Sequence, residues 1–327
     1  MGNWQPEETF VPRRGLRGGH VQTLASFFLS RNIPVSQAEE RLIDVEPGVK
    51  VLCHCHWQPQ RQTPLTILII HGLEGSSDSQ YMVGIAAKGM AAGMNVIRMN
   101  QRNCGGTDAL SPTLYHSGRS QDMAAVARHL MDHDGVSRFA LVGFSMGGNM
   151  VLKLAGEWGS DGPPQFRAVA AVCPAVDLGP SADALHLPSN RLYEQYFVIK
   201  LRQRIQEKAK LFPGQFDLSR LRKVSTLRDF DDKITAYYCG FTGADDYYTR
   251  AAAAPVVDRI AVPTFILHAA NDPFIRILPE TRRKILANPN ITFFETEDGG
   301  HCSFLADADG DDGHWAERQI MRFLQHI

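Results

Sequence analysis

The sequence predicts an α/β protein: a mostly parallel sheet that opens with an antiparallel hairpin, carries helices on both faces and is interrupted by one helical cap. Three observations lead there. Short apolar runs rich in β-branched residues alternate with helix-period segments from Thr66 to Pro174. That alternation stops near Asp177 and resumes after Asp246. Ahead of it, RLIDVEPG and VLCHCHWQP read as two strands turning at Pro47-Gly48.

In VLCHCHWQP, Cys53 and Cys55 share a strand face with Val51 and Trp57, while His54 and His56 point the other way with Leu52. Four side chains with metal-binding chemistry therefore cannot converge on one ion, and no metal or other cofactor is expected. TILIIHG is a buried strand ending in a loop, followed by the helix YMVGIAAKGMAAG. NVIRMNQR is the next strand, and RSQDMAAVARHLMDHDG is a helix with a glycine stop. FALVGFS, MGGNMVLKLAGEW and AVAAVCP continue as strand, helix and strand. From Asp177 to Asp246 the sequence is helical and basic-amphipathic, and an insertion of this size between strands of one sheet reads as a cap. The expected division is residues 1–176 and 247–327 for the body and 177–246 for the cap. VPTFILHAANDP and ITFFETEDGGH restore the alternation, and HWAERQIMRFLQHI closes the chain as a helix.

With 44% hydrophobic and 21% charged residues in 327, the composition is that of an ordinary globular protein. A formal net charge of -1 argues against nucleic acid as a partner. LTILII is too short to span a bilayer, and the N-terminal stretch lacks the apolar region of a signal peptide. Six cysteines without framework spacing suit free thiols, so a cytoplasmic location is expected.

The strongest chemical signal is VGFSMGGN, in which Gly143, Ser145 and Gly147 stand between a strand and a helix. Serine on such a strained turn projects its hydroxyl above the sheet, and the glycines let strand and helix approach. Serine needs a base oriented by a carboxylate, and on this scaffold they follow in the order acid, then histidine. Asp272 and His301 each lie just past a strand, on the sheet edge that carries Ser145. Asp177, after the preceding strand, is the rival acid; Glu297 and Asp298 are too near His301 in sequence to be its partner. The expected oxyanion donors are the N–H groups of Met146 and Leu73, the latter in the loop IIHGLEGSS, where His71 is expected to hold the loop.

These residues resemble the α/β-hydrolase superfamily and, within it, the YheT-like branch of esterases, which is related to membrane-associated lipid hydrolases and fungal ethanol acyltransferases. The likeness is carried by GGHVQTL, HGLEGSS, NQRNCGG, LYHSGRSQD, GFSMGGNMVLK, AANDPF and GGHCSF. It implies an α/β-hydrolase fold with a Ser145, Asp272, His301 triad acting on carboxylic esters, so a small-molecule or lipid ester is the expected substrate. The same triad could pass the acyl group to an alcohol, or the fold could serve binding without catalysis. Asn103 stands where related sequences carry glycine, and asparagine is the residue that best tolerates left-handed backbone in its place.

Two lookalikes fail. The pattern from His129 to Asp134 falls on a polar helix end. DADGDDG, from Asp307 to Gly313, has Asp312 and Arg318 where a calcium loop needs glycine and glutamate. In the cap, Tyr193, Phe197, Leu201 and Ile205 make an apolar stripe beside basic Lys200, Arg202, Arg204, Lys208 and Lys210. A packing face with a solvated back is the first reading; part of the stripe could also line an acyl pocket, and the basic residues could attract anionic lipid, by peripheral contact, or a phosphorylated acyl donor.

Overall fold

A computed structural model describes residues 4–6, 9–29, 31–308 and 310–327. Asp309, within the calcium-loop lookalike, lies outside the described residues, as do residues 1–3.

Helix α1 (Gly19–Phe28) precedes the hairpin of β1 (Glu39–Glu46) and β2 (Val49–His56). The body continues through β3 (Thr66–Ile70), α2 (Gln80–Ala91), β4 (Asn95–Met99), α3 (Ser120–Asp134), β5 (Phe139–Phe144), α4 (Met146–Trp158) and β6 (Phe166–Val172). Helices α5 (Leu178–Leu185), α6 (Arg191–Leu211), α7 (Leu227–Phe230), α8 (Tyr237–Cys239) and α9 (Ala244–Ala251) then run before β7 (Thr264–Ala269). A π-helical turn, Asp231–Ala236, joins α7 to α8. Helix α10 (Pro279–Ala287), β8 (Ile291–Thr296) and α11 (Trp315–His326) complete the chain.

The strands form one sheet in the order β1-β2-β4-β3-β5-β6-β7-β8. Only the β1–β2 and β2–β4 pairs are antiparallel. The β3 run has no polar alternation because both its faces are buried: Leu68 and Ile70 join one core, Ile67 and Ile69 the other. Helices α3, α4 and α10 cover the first face and α2 and α11 the second. On β2, Cys53 and Cys55 lie in the first core with Val51. His56, facing the other way, accepts a hydrogen bond from Arg98 Nε at 3.2 Å. Asn103 takes the left-handed conformation, with φ +64°, and its side chain donates to Ser111 O.

Candidate active site

Ser145 occupies the turn from β5 into α4 with φ +56° and ψ −120°, a region L-residues rarely enter. Close approach explains the glycines on either side. A Cβ at Gly143 would lie 2.3 Å from Gly147 O, and one at Gly147 would lie 2.4 Å from Ile70 O.

The loops after β7 and β8 bring the other two groups to the serine. His301 Nδ1 is 2.8 Å from Asp272 Oδ2, and Nε2 is 2.9 Å from Ser145 Oγ. Beside an ionised Asp272, Nδ1 carries the hydrogen, so Nε2 is left to accept from the serine hydroxyl. Asp272 is buried, and its Oδ1 accepts from the N–H groups of Phe274 (3.0 Å) and Ile275 (2.9 Å). Burial alone would raise its pKa, but the His301 charge and these hydrogen bonds outweigh it and the pKa is lowered. His301 moves the other way: burial would lower its pKa, but Cys302 and Asp272 beside it push it up. Asp177 stands apart, its oxygens accepting from Leu278 N–H (2.8 Å) and the Thr281 hydroxyl (2.9 Å).

Leu73 and Met146 line the same cavity as Ser145. Met146 is the first residue of α4, so its N–H has no acceptor within the helix. His71 is fully buried and fixes the Leu73 loop: its Nε2 accepts from Gln101 N–H at 3.1 Å, and its carbonyl accepts from Gln101 Nε2 at 2.7 Å.

Sequence reasoning left the N-terminal GGHVQTL segment without a role, and the structure places it under the histidine loop. His301 N–H donates to Thr23 Oγ1 at 2.9 Å, while Gly18 N–H and Asn271 Nδ2 both donate to Asp298 Oδ1. Gly300 N–H donates to Asn271 Oδ1 at 3.1 Å. The contact is too close for side chains, since a Cβ at Gly19 would lie 1.9 Å from Asn271 O. Two adjacent glycines at the start of a helix were the available signal.

The serine faces a cavity of about 900 Å³, counting space open at its mouth. Leu114, Leu185, Leu201, Phe230 and Ile275 give it an apolar wall. Its polar groups are tied to one another. Arg204 makes two 3.0 Å hydrogen bonds to Glu74, and the Tyr115 hydroxyl donates to the same carboxylate at 2.5 Å. Asp231 accepts from Thr235 Oγ1 and the Tyr248 hydroxyl, both at 2.8 Å, and burial lifts its pKa to about 6. His116, in the same wall, is kept neutral by burial, which pulls its pKa down to about 3. The apolar stripe of α6 marked Phe197, Leu201 and Ile205, which line the cavity, whereas no sequence pattern marked Leu185, Phe230, Asp231 or Tyr248.

A sheet in this order, with serine at a strained strand-to-helix turn, defines a class of protein. The chain belongs to the α/β hydrolase fold family, which it matches over residues 66–308. Within that family it is similar to the protein named "Putative esterase YheT" of Escherichia coli (strain K12), with 31% identity over 321 residues covering 96% of this chain and 92% of that one. Human phospholipase ABHD3 is 26% identical over 329 residues, 97% of this chain and 79% of that protein. Monoacylglycerol lipase of Saccharomyces cerevisiae is 25% identical over 268 residues, 79% of this chain and 58% of that protein. Among solved structures, the Pyrococcus furiosus esterase Pf2001 shares the fold with a TM-score of 0.58 at 16% identity, covering 90% of this chain and 99% of that one. No helix among the described residues is long and apolar enough to cross a membrane.

Proposed function

We propose that this protein is a carboxylic ester hydrolase (EC 3.1.1.-) working through an acyl-enzyme on Ser145. The observation that carries this reading is the hydrogen-bonded series from Ser145 Oγ through His301 to Asp272, on the wall of an apolar cavity. The names of the relatives, an esterase, a phospholipase and a monoacylglycerol lipase, support the same bond class.

Ser145 Oγ attacks the ester carbonyl carbon as its proton passes to His301 Nε2. Asp272 holds Nδ1–H and stabilises the imidazolium. The N–H groups of Met146 and Leu73 donate to the oxyanion. Collapse breaks the bond to the alcohol oxygen, which takes the proton from His301. Water then attacks the acyl-enzyme by the same route, releasing the acid and restoring serine. Residues 177–246 act as a cap that closes the cavity over the acyl chain.

A chain-length series of p-nitrophenyl esters, run on wild type and Ser145→Ala, tests this reading. Turnover should fall on the order of 10⁴-fold or more with the fold retained. A fluorophosphonate probe should label wild type and leave Ser145→Ala unlabelled. Near-wild-type hydrolysis by that variant would remove Ser145 from the chemistry.

A further inference from the structure

Helix α1 is inside out. Gln22, Thr23 and Ser26 face the protein: Gln22 is fully buried, Nε2 donating to Leu16 O (2.8 Å) and Leu305 O (3.1 Å), while Oε1 accepts from Leu305 N–H (2.8 Å). Thr23 accepts from His301 N–H, and Ser26 Oγ lies 2.8 Å from Ser303 Oγ. Its apolar side chains face outward. Val21, Leu24, Phe27 and Phe28 are all exposed, Phe28 by 74%. In an ordinary surface helix these two faces are exchanged.

The outward face continues onto α6. Leu192, Tyr196 and Ile199 form an exposed stripe at helical spacing, Leu192 by 77%. The Phe27 and Tyr196 rings meet edge to face at 5.7 Å, and the His20 ring stacks on Tyr193 at 5.8 Å. A single apolar surface therefore spans two helices that are distant in sequence.

We propose that this surface docks the protein on an anionic lipid bilayer and sets the cavity mouth against it. Two observations select lipid. The surface adjoins the cavity: Tyr193 packs on Phe274, which lines the cavity and lies 4.3 Å from the His301 ring, and Phe197, next to Tyr196, is part of the cavity wall. Exposed basic residues flank its two helices, while the exposed acids Asp78 and Glu207 lie past its far end, in a polar depression shared with Tyr196 and Lys200. Arg191 and Lys200 lie on α6, and Arg13, Arg14 and Arg17 precede α1, which carries no charged residue of its own. Glu194, the one acid between Arg191 and Gln203, is buried. Apolar anchors flanked by these five basic side chains match an acyl boundary under anionic headgroups. A membrane ester could then reach the cavity without crossing water, and for that delivery step the proposal rests on the hydrolase reading above.

The test is co-sedimentation with phosphatidylcholine vesicles, with and without about 30% phosphatidylglycerol, using wild type, Ser145→Ala and Phe28→Glu/Leu192→Glu. Wild type and Ser145→Ala should pellet with the anionic vesicles and far less with the neutral ones. The double variant should bind about tenfold more weakly. It should hydrolyse a water-soluble short-chain p-nitrophenyl ester within about twofold of wild type, yet lose about tenfold on a long-chain ester carried in anionic vesicles. Wild type left in the supernatant, or a double variant that pellets like wild type, overturns the proposal. So does a wild-type dimer in the analytical ultracentrifuge that the double variant abolishes without vesicle binding by either, which would make a second copy the occupant. Vesicle binding by a wild type inactive on every ester would support the docking surface while removing the hydrolase reading.

Discussion

The carboxyl edge of the sheet and the helical insertion between β6 and β7 meet at one cavity, yet they are built by different rules. At the sheet edge each polar group is fixed by a directed bond: Asp272 by the amides of Phe274 and Ile275, His301 by Thr23 on its backbone and Asp272 on its ring. In the insertion the wall facing the serine is mostly apolar. Its polar groups bond to one another or to the body, as in the Asp231–Tyr248 and Arg204–Glu74 pairs. Position matters where bonds change, while shape and dryness matter where a chain must fit.

Two aspartates give the strongest test of this contrast, because both are buried and both follow strands of the same sheet. Asp272→Asn keeps the volume but replaces the acceptor that fixes the Nδ1–H tautomer, so kcat should fall on the order of 10⁴-fold. Asp177→Asn should change kcat less than about threefold and appear as a lower Tm, because its carboxylate binds only the Leu278 amide and the Thr281 hydroxyl. A larger kcat loss in Asp177→Asn than in Asp272→Asn would reverse the assignment.

The insertion should answer to volume. Ala182 is buried on α5 and lines the cavity. Ala182→Phe should lower kcat/KM for long-chain esters by about 10–100-fold while leaving the acetate ester within about twofold. Equal losses on both esters would place the effect on the reacting groups instead of on chain accommodation.

The same contrast explains what was legible in the sequence. Ser145 could be read because its turn forbids side chains at Gly143 and Gly147, leaving a fixed spacing in the chain. Asp272 and His301 could be read because strand ends are marked by the apolar runs before them. Of the cavity wall only the α6 stripe showed, through its helical spacing; elsewhere any apolar side chain of suitable volume serves and none requires a motif. Nor could the pairing within the clasp be read, since its N-terminal half, Gly18 and Thr23, lies hundreds of positions from Asn271 and Asp298 and meets them only once the sheet has formed.

That clasp predicts a smaller effect. Thr23→Val keeps the shape of the side chain but removes the acceptor for His301 N–H, so kcat should fall about 3–10-fold with KM unchanged. As a positioning residue, Thr23 should leave the midpoint of the pH profile in place, and Thr23→Ser should restore the rate. A shifted midpoint would mean that Thr23 acts on the ring's proton affinity instead of on its placement.

The smallest expected change lies in the pH profile. His301 can act as base only when neutral, so the rate should rise with pH through its pKa. Burial pulls that pKa down, but Cys302 and Asp272 together carry it above the ordinary histidine value, so the rising limb should lie higher than for a free imidazole. The Cys302 Sγ is 3.9 Å from His301 Nε2, close enough to favour the imidazolium whenever the thiol is ionised. Cys302→Ser removes that ionisable group and leaves Asp272 in place. The limb of kcat/KM should therefore move to lower pH, so that just above pH 6.5 the variant is more active relative to its own plateau than wild type. The linked stability has a definite sign. The folded protein holds the His301 proton more tightly than the unfolded chain, which stabilises the fold below the ordinary histidine pKa and is lost as pH rises through the raised one. Removing Cys302 should narrow that window from its alkaline side, measurable as a flatter Tm against pH, whereas an unmoved activity limb would show that Asp272 alone sets the base.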